Sequence, residues 1–228
     1  MGIGRSDARI EDVTLDIIWY GHSCFRLSER GMASVVTDPF GEGIGLPAPK
    51  LKADIVTVSH HSAGHSALDA VKGAQIIIDS PGEYEVGGVF VTGIAMHYID
   101  DQVARRNVGY LFDFGNDMNA LHLGDLSHVP DQSTIKELGE VTVLFVPVGG
   151  GNGLKAAMAA EVITLIEPRY IVPMHYALPN LTFELEPVEK FLKAMGVSKV
   201  QEEDTLRITG ALPEQPQVVL LNPQFKMS

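Results

Sequence analysis

A chain of 228 residues with 45% apolar and 20% charged side chains can bury a sizeable core, which excludes wholesale disorder. Its formal charge of -12 argues against a nucleic-acid partner, because phosphate binding needs a basic surface. Cys24 is the one cysteine, so no internal disulfide forms, and no apolar run reaches the length of a bilayer span; the expected setting is cytoplasmic, without a membrane partner.

Residues 1–14 are polar and aperiodic and are expected to form a flexible tail ahead of a single domain over 15–228. From Leu15 the chain breaks into short β-rich runs at 15–20, 24–27 and 34–37, the pattern of an antiparallel meander. Three glycines and two prolines within residues 41–49 predict an irregular loop. Residues 53–58 are mainly apolar and β-branched, as in a buried strand. That strand delivers Ser59-His60-His61-Ser62-Ala63-Gly64-His65 at its C-terminal end, where open α/β sheets place their ligands. Three imidazoles in six residues point to metal or proton chemistry.

Residues 66–71 suit a short helix, 75–78 another buried strand, and 86–95 a strand pair turned around Gly87-Gly88, with His97 following at the strand end. A hairpin of 108–114 and 119–123, turned at residues 115–117, ends in His122-Leu123-Gly124-Asp125. The helix at 131–138 has Asp131 as its N-cap. The apolar strand 141–148 enters a glycine-rich turn at 149–153, and an amphipathic helix at 154–166 is ended by Pro168. The strand 170–172 leads to Pro173-Met174-His175, a surface helix spans 187–195, and strands at 206–209 and 218–221 close the chain.

Four separate strand ends thus carry His or Asp: the cluster at 60–65, His97, Asp125 and His175. Imidazole and carboxylate suit zinc, and also manganese or iron, and a carboxylate shared between ions can clamp the oxygens of a hydrolysis.

Several short motifs occur in an order and spacing that resembles the metallo-β-lactamase superfamily, in its branch of small metal-dependent hydrolases. They are Trp19-Tyr20-Gly21-His22-Ser23, Thr37-Asp38-Pro39-Phe40, the strand leading to His60, Gly82-Glu83-Tyr84-Glu85, His122-Leu123-Gly124-Asp125, Val146-Pro147-Val148-Gly149-Gly150 and Val172-Pro173-Met174-His175-Tyr176. The likeness runs from about Leu15 to Leu221. It implies an α/β fold, a four-layer αββα sandwich of two mixed β-sheets with a metal site at one edge.

The family signature is His-x-His-x-Asp-His. His60 matches its first histidine and His65 its last, but Ser62 stands where the second histidine belongs and Gly64 where the aspartate belongs. By the same alignment His97 resembles the third histidine of the first metal site, Asp125 the bridging carboxylate and His175 the last ligand of the second site. The resemblance therefore implies metal ligands at His60, His65, His97, Asp125 and His175, with Asp125 and His175 also catalytic. It implies one divalent ion, zinc favoured over manganese or iron, with a metal-free centre as the alternative.

The implied activity is hydrolysis of an ester, lactone or phosphoester-type bond in a small-molecule substrate by an altered, metal-poor centre. The alternative is a non-catalytic protein of this fold that binds a small molecule or a protein partner; a second copy of the chain is also a candidate partner. His22 and His122 are candidates to orient ligands by hydrogen bonds, with a structural hydrogen bond beneath the site as the alternative, and His61 is read as a spacer.

Overall fold

The computed structural model describes residues 14–225. The expected tail lies outside them, apart from Thr14, which opens the first strand. β1 (Thr14–Trp19), β2 (Phe25–Ser28) and β3 (Val35–Thr37) form the expected antiparallel meander. After a loop over 41–49 come β4 (Leu51–Lys52), β5 (Ile55–Thr57), β6 (Val71–Lys72) and β7 (Ile76–Ile78). β5 pairs in parallel with both β3 and β7, so the ends of β3 and β5 point the same way. The expected helix over 66–71 is a single 3-10 turn at Leu68–Ala70. None of its residues is buried, and without an apolar face to pack, a helical nucleus gains nothing by extending.

The second half supplies β8 (Gly82–Val86), β9 (Val89–Asp100), β10 (Val103–Asp113) and β11 (Asn119–His122) as consecutive antiparallel hairpins. Gly87 and Gly88 both take left-handed backbone, as a two-residue hairpin turn demands. β9 and β10 run much further than their apolar patterns indicate. Their tip is exposed and carries Asp100, Arg105 and Arg106, so it has no hydrophobic alternation to read. His97 consequently sits inside β9, paired with Arg106, rather than at a strand end.

Helix α1 (Gln132–Leu138) is capped as expected, the Asp131 carboxylate accepting from the Thr134 amide at 2.8 Å. β12 (Val143–Pro147) is buried along its whole length and lies in parallel beside β11 and β13 (Tyr170–Met174). The crossover between β12 and β13 is α2 (Ala156–Ile166), whose Ala159, Val162, Ile163 and Ile166 face the core. Glu167 ends α2 in left-handed backbone just before Pro168. After α3 (Val188–Ala194), β14 (Gln201–Glu203) and β16 (Gln217–Leu221) extend this sheet, while β15 (Leu206–Thr209) returns to pair with β1.

The result is a six-stranded sheet in the order β15-β1-β2-β3-β5-β7 and an eight-stranded sheet in the order β14-β16-β13-β12-β11-β10-β9-β8. Both are mixed, and they pack face to face: Phe25 of β2 meets Phe145 of β12 with ring centroids 4.3 Å apart, and Trp19 meets Tyr176 at 5.2 Å. Burial of each such aromatic contributes about 1.5–3 kcal/mol, so this interface is the main source of cohesion. A second apolar layer, with Val36, Phe40, Ile44, Leu46 and Val56, lies on the other face of the smaller sheet. Its cover is irregular chain with two 3-10 turns and the β4-β6 pair, while α-helix covers the larger sheet. Among the described residues no helix is long and apolar enough to cross a membrane.

Candidate metal centre

The C-terminal ends of β3, β5, β11 and β13 meet at one edge of the sandwich. They deliver Asp38, Ser59 and His60, Asp125, and His175, and the β1–β2 turn adds His22. His22, Asp38 and His175 all have positive φ, at 52°, 39° and 51°. Non-glycine residues held in this region cost of order 1 kcal/mol or more and tend to gather at functional sites. Two donors clamp the strained turn: the His22 carbonyl accepts from the Trp19 indole N–H and from the His175 amide, both at 3.1 Å.

The buried Asp125 carboxylate is the centre of the arrangement. His65 Nε2 lies 3.3 Å from Oδ2, His175 Nε2 3.3 Å from Oδ1, and His60 Nε2 3.7 Å from Oδ2. His22 Nε2 approaches His65 Nε2 to 3.1 Å. Asn107, itself fully buried, fixes Asp125 from behind. Its side-chain oxygen accepts from the Asp125 amide at 3.0 Å, and its NH2 group donates to the Leu123 carbonyl at 2.8 Å.

Asp38 orients two of the imidazoles. His65 Nδ1–H donates to Asp38 Oδ2 at 2.8 Å, which leaves Nε2 aimed at Asp125. The Ser59 hydroxyl donates to the same carboxylate at 2.6 Å and its amide to Oδ1 at 2.7 Å. Ser59 Oγ, having given its proton to Asp38, accepts from His60 Nδ1 at 3.1 Å, so His60 Nε2 is the acceptor nitrogen, with the Ser62 hydroxyl 3.2 Å away. Carboxylate and hydroxyl partners behind ligating histidines fix tautomer and ring direction in this way.

The electrostatics follow from burial and from these partners. Burial opposes charge on His65, but Asp125 and Asp38 outweigh it and push its pKa up to about 10. Burial and the neighbouring His65 hold His60 down at about 4. Burial, with His175 and His65 beside it, holds His22 well below the ordinary imidazole range. Burial would raise the Asp125 carboxyl, yet His175 and His65 hold it well below the usual range, so it is an anion.

These residues fit a divalent ion. A tetrahedral zinc with ligands at about 2.0–2.1 Å has ligand–ligand edges of about 3.3 Å, and the spacings of 3.1 Å between His22 and His65, 3.3 Å between His65 and Asp125 Oδ2 and 3.3 Å between His175 and Asp125 Oδ1 have that size. Asp125 Oδ1, close as it is to His175 Nε2, has no partner in hydrogen-bond geometry among the described residues. A buried carboxylate oxygen left so is costly unless something else satisfies it. Two overlapping sets, His60-His65-Asp125 and His22-His65-His175, bring their ligand atoms within 4.8 Å of one another.

Of the five residues expected to ligate, the fold brings together His60, His65, Asp125 and His175. His97 is not among them. Neighbouring positions on a strand point to opposite faces, and it is Tyr98 whose ring lies 4.6 Å from that of His60. His97 stacks instead on His128, with centroids 3.7 Å apart. His61 points outward to the exposed Asp79 at 3.2 Å, as a spacer should. His122 bonds backbone rather than a candidate ligand, the structural alternative: Nε2 donates to the Ser23 carbonyl at 3.0 Å and Nδ1 accepts from the Gly124 amide at 3.1 Å. The glycine-rich turn lies beside the centre, where Gly149 bonds through its amide to the His175 carbonyl at 2.9 Å. Asp38, Ser59 and Asn107 were not assigned from the sequence, and His22 only as a candidate hydrogen bonder. Asp38 alone left a trace there, as a carboxylate closing an apolar strand.

The centre floors a cleft of about 540 Å³ whose walls include Ile44, Tyr98, Asn152, Phe183 and Leu185. A family model described as a β-lactamase superfamily domain matches residues 16–175. The chain belongs to that superfamily. A crystal structure from Thermotoga maritima, provisionally described as a Zn-dependent hydrolase of the metallo-β-lactamase superfamily, is 36% identical with a TM-score of 0.74. The match covers 91% of this chain and 98% of that one. A relative from Thermoplasma volcanium, described as a metal-dependent hydrolase, is 30% identical over 70% of this chain and 82% of its own length. A metallo hydrolase from Ignicoccus hospitalis, 22% identical with a TM-score of 0.63, covers 87% of this chain and 99% of its own and shares the superfamily fold.

Proposed function

We propose that this chain is a hydrolase that uses one divalent ion, zinc favoured over manganese or iron, to cleave an ester, lactone or phosphoester-type bond in a small molecule. The observation that carries this reading is the convergence of His60, His65 and His175 on the buried Asp125 carboxylate at the floor of a cleft. The relatives described as metal-dependent hydrolases support it.

A single ion is favoured because one half of the centre is depleted. His97 is elsewhere, and the Ser62 hydroxyl lies 3.2 Å from His60 Nε2, the atom a first ion would need. His65, His175 and Asp125 retain the three protein ligands that catalytic zinc usually has. When bound, such an ion supplies Lewis acidity that polarises a substrate oxygen and acidifies water.

The chain's own groups divide the remaining work. Asp125 contributes the negative charge and orients what lies between the imidazoles. His60, kept neutral by burial and by His65, presents Nε2 toward Asp125 and the Ser62 hydroxyl as a hydrogen-bond acceptor. Ile44, Phe183 and Leu185 give the walls an apolar surface. Asp100 and Glu184 at the rim, on a chain of charge -12, disfavour anionic substrates, which ranks neutral esters and lactones above phosphoesters.

The test is a panel of neutral aryl esters, lactones and phosphodiesters, assayed with the zinc-loaded protein, with chelator, and after zinc is restored. The expected result is turnover of a neutral ester or lactone that chelation abolishes and zinc restores. Zinc-loaded protein without turnover on any of them, or turnover indifferent to chelator, contradicts the reading.

A further inference from the structure

The segment 182–186 lies along the cleft as a strap pinned at both ends. The Thr182 amide donates to the Ile44 carbonyl at 3.1 Å, and the Glu186 amide donates to the Gly149 carbonyl at 2.8 Å. Between these anchors Phe183, Glu184 and Leu185 line the cleft. Leu185 rests on the glycine-rich turn, its Cδ2 3.0 Å from the point where a Cβ at Gly151 would stand. Phe183, by contrast, is 39% exposed, and its ring meets that of His22 edge-on with centroids 5.6 Å apart. An apolar ring held in water by a pinned backbone forgoes the free energy of burial until a ligand covers it.

Tyr98 stands at the far side of the centre. Ring contacts run from Tyr98 to His60 at 4.6 Å, from His60 to His65 at 4.2 Å, from His65 to His22 at 4.7 Å, and from His22 to Phe183. The imidazoles therefore form a row with a larger aromatic ring at each end, and both of those rings line the cleft. Its volume of about 540 Å³ falls within the roughly 300–1,000 Å³ of small-molecule sites, whose walls are mainly apolar with a few polar groups. Among the described residues no lysine or arginine lines it, whereas Asp100 and Glu184 do. The acids turn anions away and the rings reward apolar surface, so charge and lining together select a neutral apolar group.

We propose that Tyr98 and Phe183 are specificity-determining residues that cover a neutral apolar chain or ring of the substrate from the two ends of the imidazole row. This rests on the hydrolytic reading above and deepens it. Among neutral esters and lactones, the favoured ones carry an extended apolar group beside the scissile bond, and acetate esters are poor substrates.

Straight-chain methyl ketones from 2-butanone to 2-octanone carry the carbonyl of an ester but no bond to hydrolyse, so their Kd for the metal-free protein is measured by ligand-observed NMR. In parallel, kcat/KM of the zinc-loaded protein is measured for nitrophenyl esters from acetate to octanoate. Burial of one CH2 group strengthens binding about three- to fourfold, so wild type is expected to bind 2-octanone at least about 30-fold more tightly than 2-butanone. Phe183→Ala and Tyr98→Ala are each expected to weaken 2-octanone about tenfold and 2-butanone less than about threefold, with zinc affinity unchanged. Tyr98→Phe keeps the ring and is expected to match wild type. Phe183 is exposed, so its variant remains a fair test even where Tyr98→Ala loosens β9.

Affinity and kcat/KM that do not rise with chain length, or Phe183→Ala losses equal along the whole series, overturn this inference alone. Ketone binding that rises with chain length in a protein that hydrolyses no ester overturns the hydrolytic reading and leaves the apolar subsite standing. A wild-type dimer in sedimentation that Phe183→Ala dissociates also overturns the inference, because a second chain then covers the ring.

Discussion

Asp125→Asn is expected to lower zinc affinity at least ~1,000-fold, about 4 kcal/mol at 1.4 kcal/mol per factor of ten. Metal-dependent turnover is expected to vanish with it. The size follows from Asp125 being, among the described residues, the one carboxylate within reach of all three imidazoles His60, His65 and His175. Its charge is also undiluted by water, because the residue is only 3% exposed. Asparagine keeps the shape and the amide bond to Asn107, so the local backbone has no reason to move. Calorimetric zinc titration of folded protein provides the check. Affinity within tenfold of wild type would mean that Asp125 orients the site without holding the ion.

The second large effect concerns the turn that aims Asp125. Gly124 has φ +57°, and a Cβ there would overlap Asn107 Oδ1 and lie 2.6 Å from Ser59 Cβ. Left-handed backbone costs a non-glycine residue about 1–2 kcal/mol, and overpacking of a filled core adds about 1–3 kcal/mol. Gly124→Ala is therefore expected to destabilise the fold by about 2–5 kcal/mol, which lowers Tm by roughly 5–20 °C for a chain of this size. Both displaced neighbours serve the site, Asn107 by holding Asp125 and Ser59 by fixing His60, so metal affinity is expected to fall as well. Gly115→Ala is the matched control. It carries the backbone strain, with φ +77°, but has nothing within 4 Å of the added methyl. Denaturant titration of the two variants separates strain from crowding, and equal losses would show that crowding at 124 is relieved by relaxation.

Most of the candidate centre was readable from sequence because His60, Asp125 and His175 sit where local pattern is strongest. His60, Asp125 and His175 each follow a short apolar β run, and such runs bury both faces of a parallel strand. His97 shows where that reasoning fails. The expectation of a strand ending near 95 depends on hydrophobic period, and the β9-β10 tip is exposed on a charged ribbon where period carries no information. With the strand continuing to Asp100, alternation turns Tyr98 rather than His97 toward His60.

His22 was legible only as a candidate hydrogen bonder, for a different reason. It stands 38 residues before His60 in the sequence, and only the packing of the β1–β2 turn against the end of β13 brings it to the centre. Gly64 was readable as a lost carboxylate, while its close approach to the His22 ring exists only between two loops in space. Asp38 and Ser59 are likewise invisible as a pair until β3 and β5 lie side by side in parallel register.

The most direct test of a centre built on His65, His175 and Asp125 is its metal content. Protein purified without chelator and reloaded with excess zinc is gel-filtered, and zinc and protein are then quantified together by atomic emission and amino-acid analysis. One zinc ion per chain is the predicted result, with a rise in Tm over the metal-free protein, because an ion bound only by the folded state must stabilise it. Two ions per chain would contradict the single-ion centre, and no bound zinc with no rise in Tm would contradict a metal centre altogether.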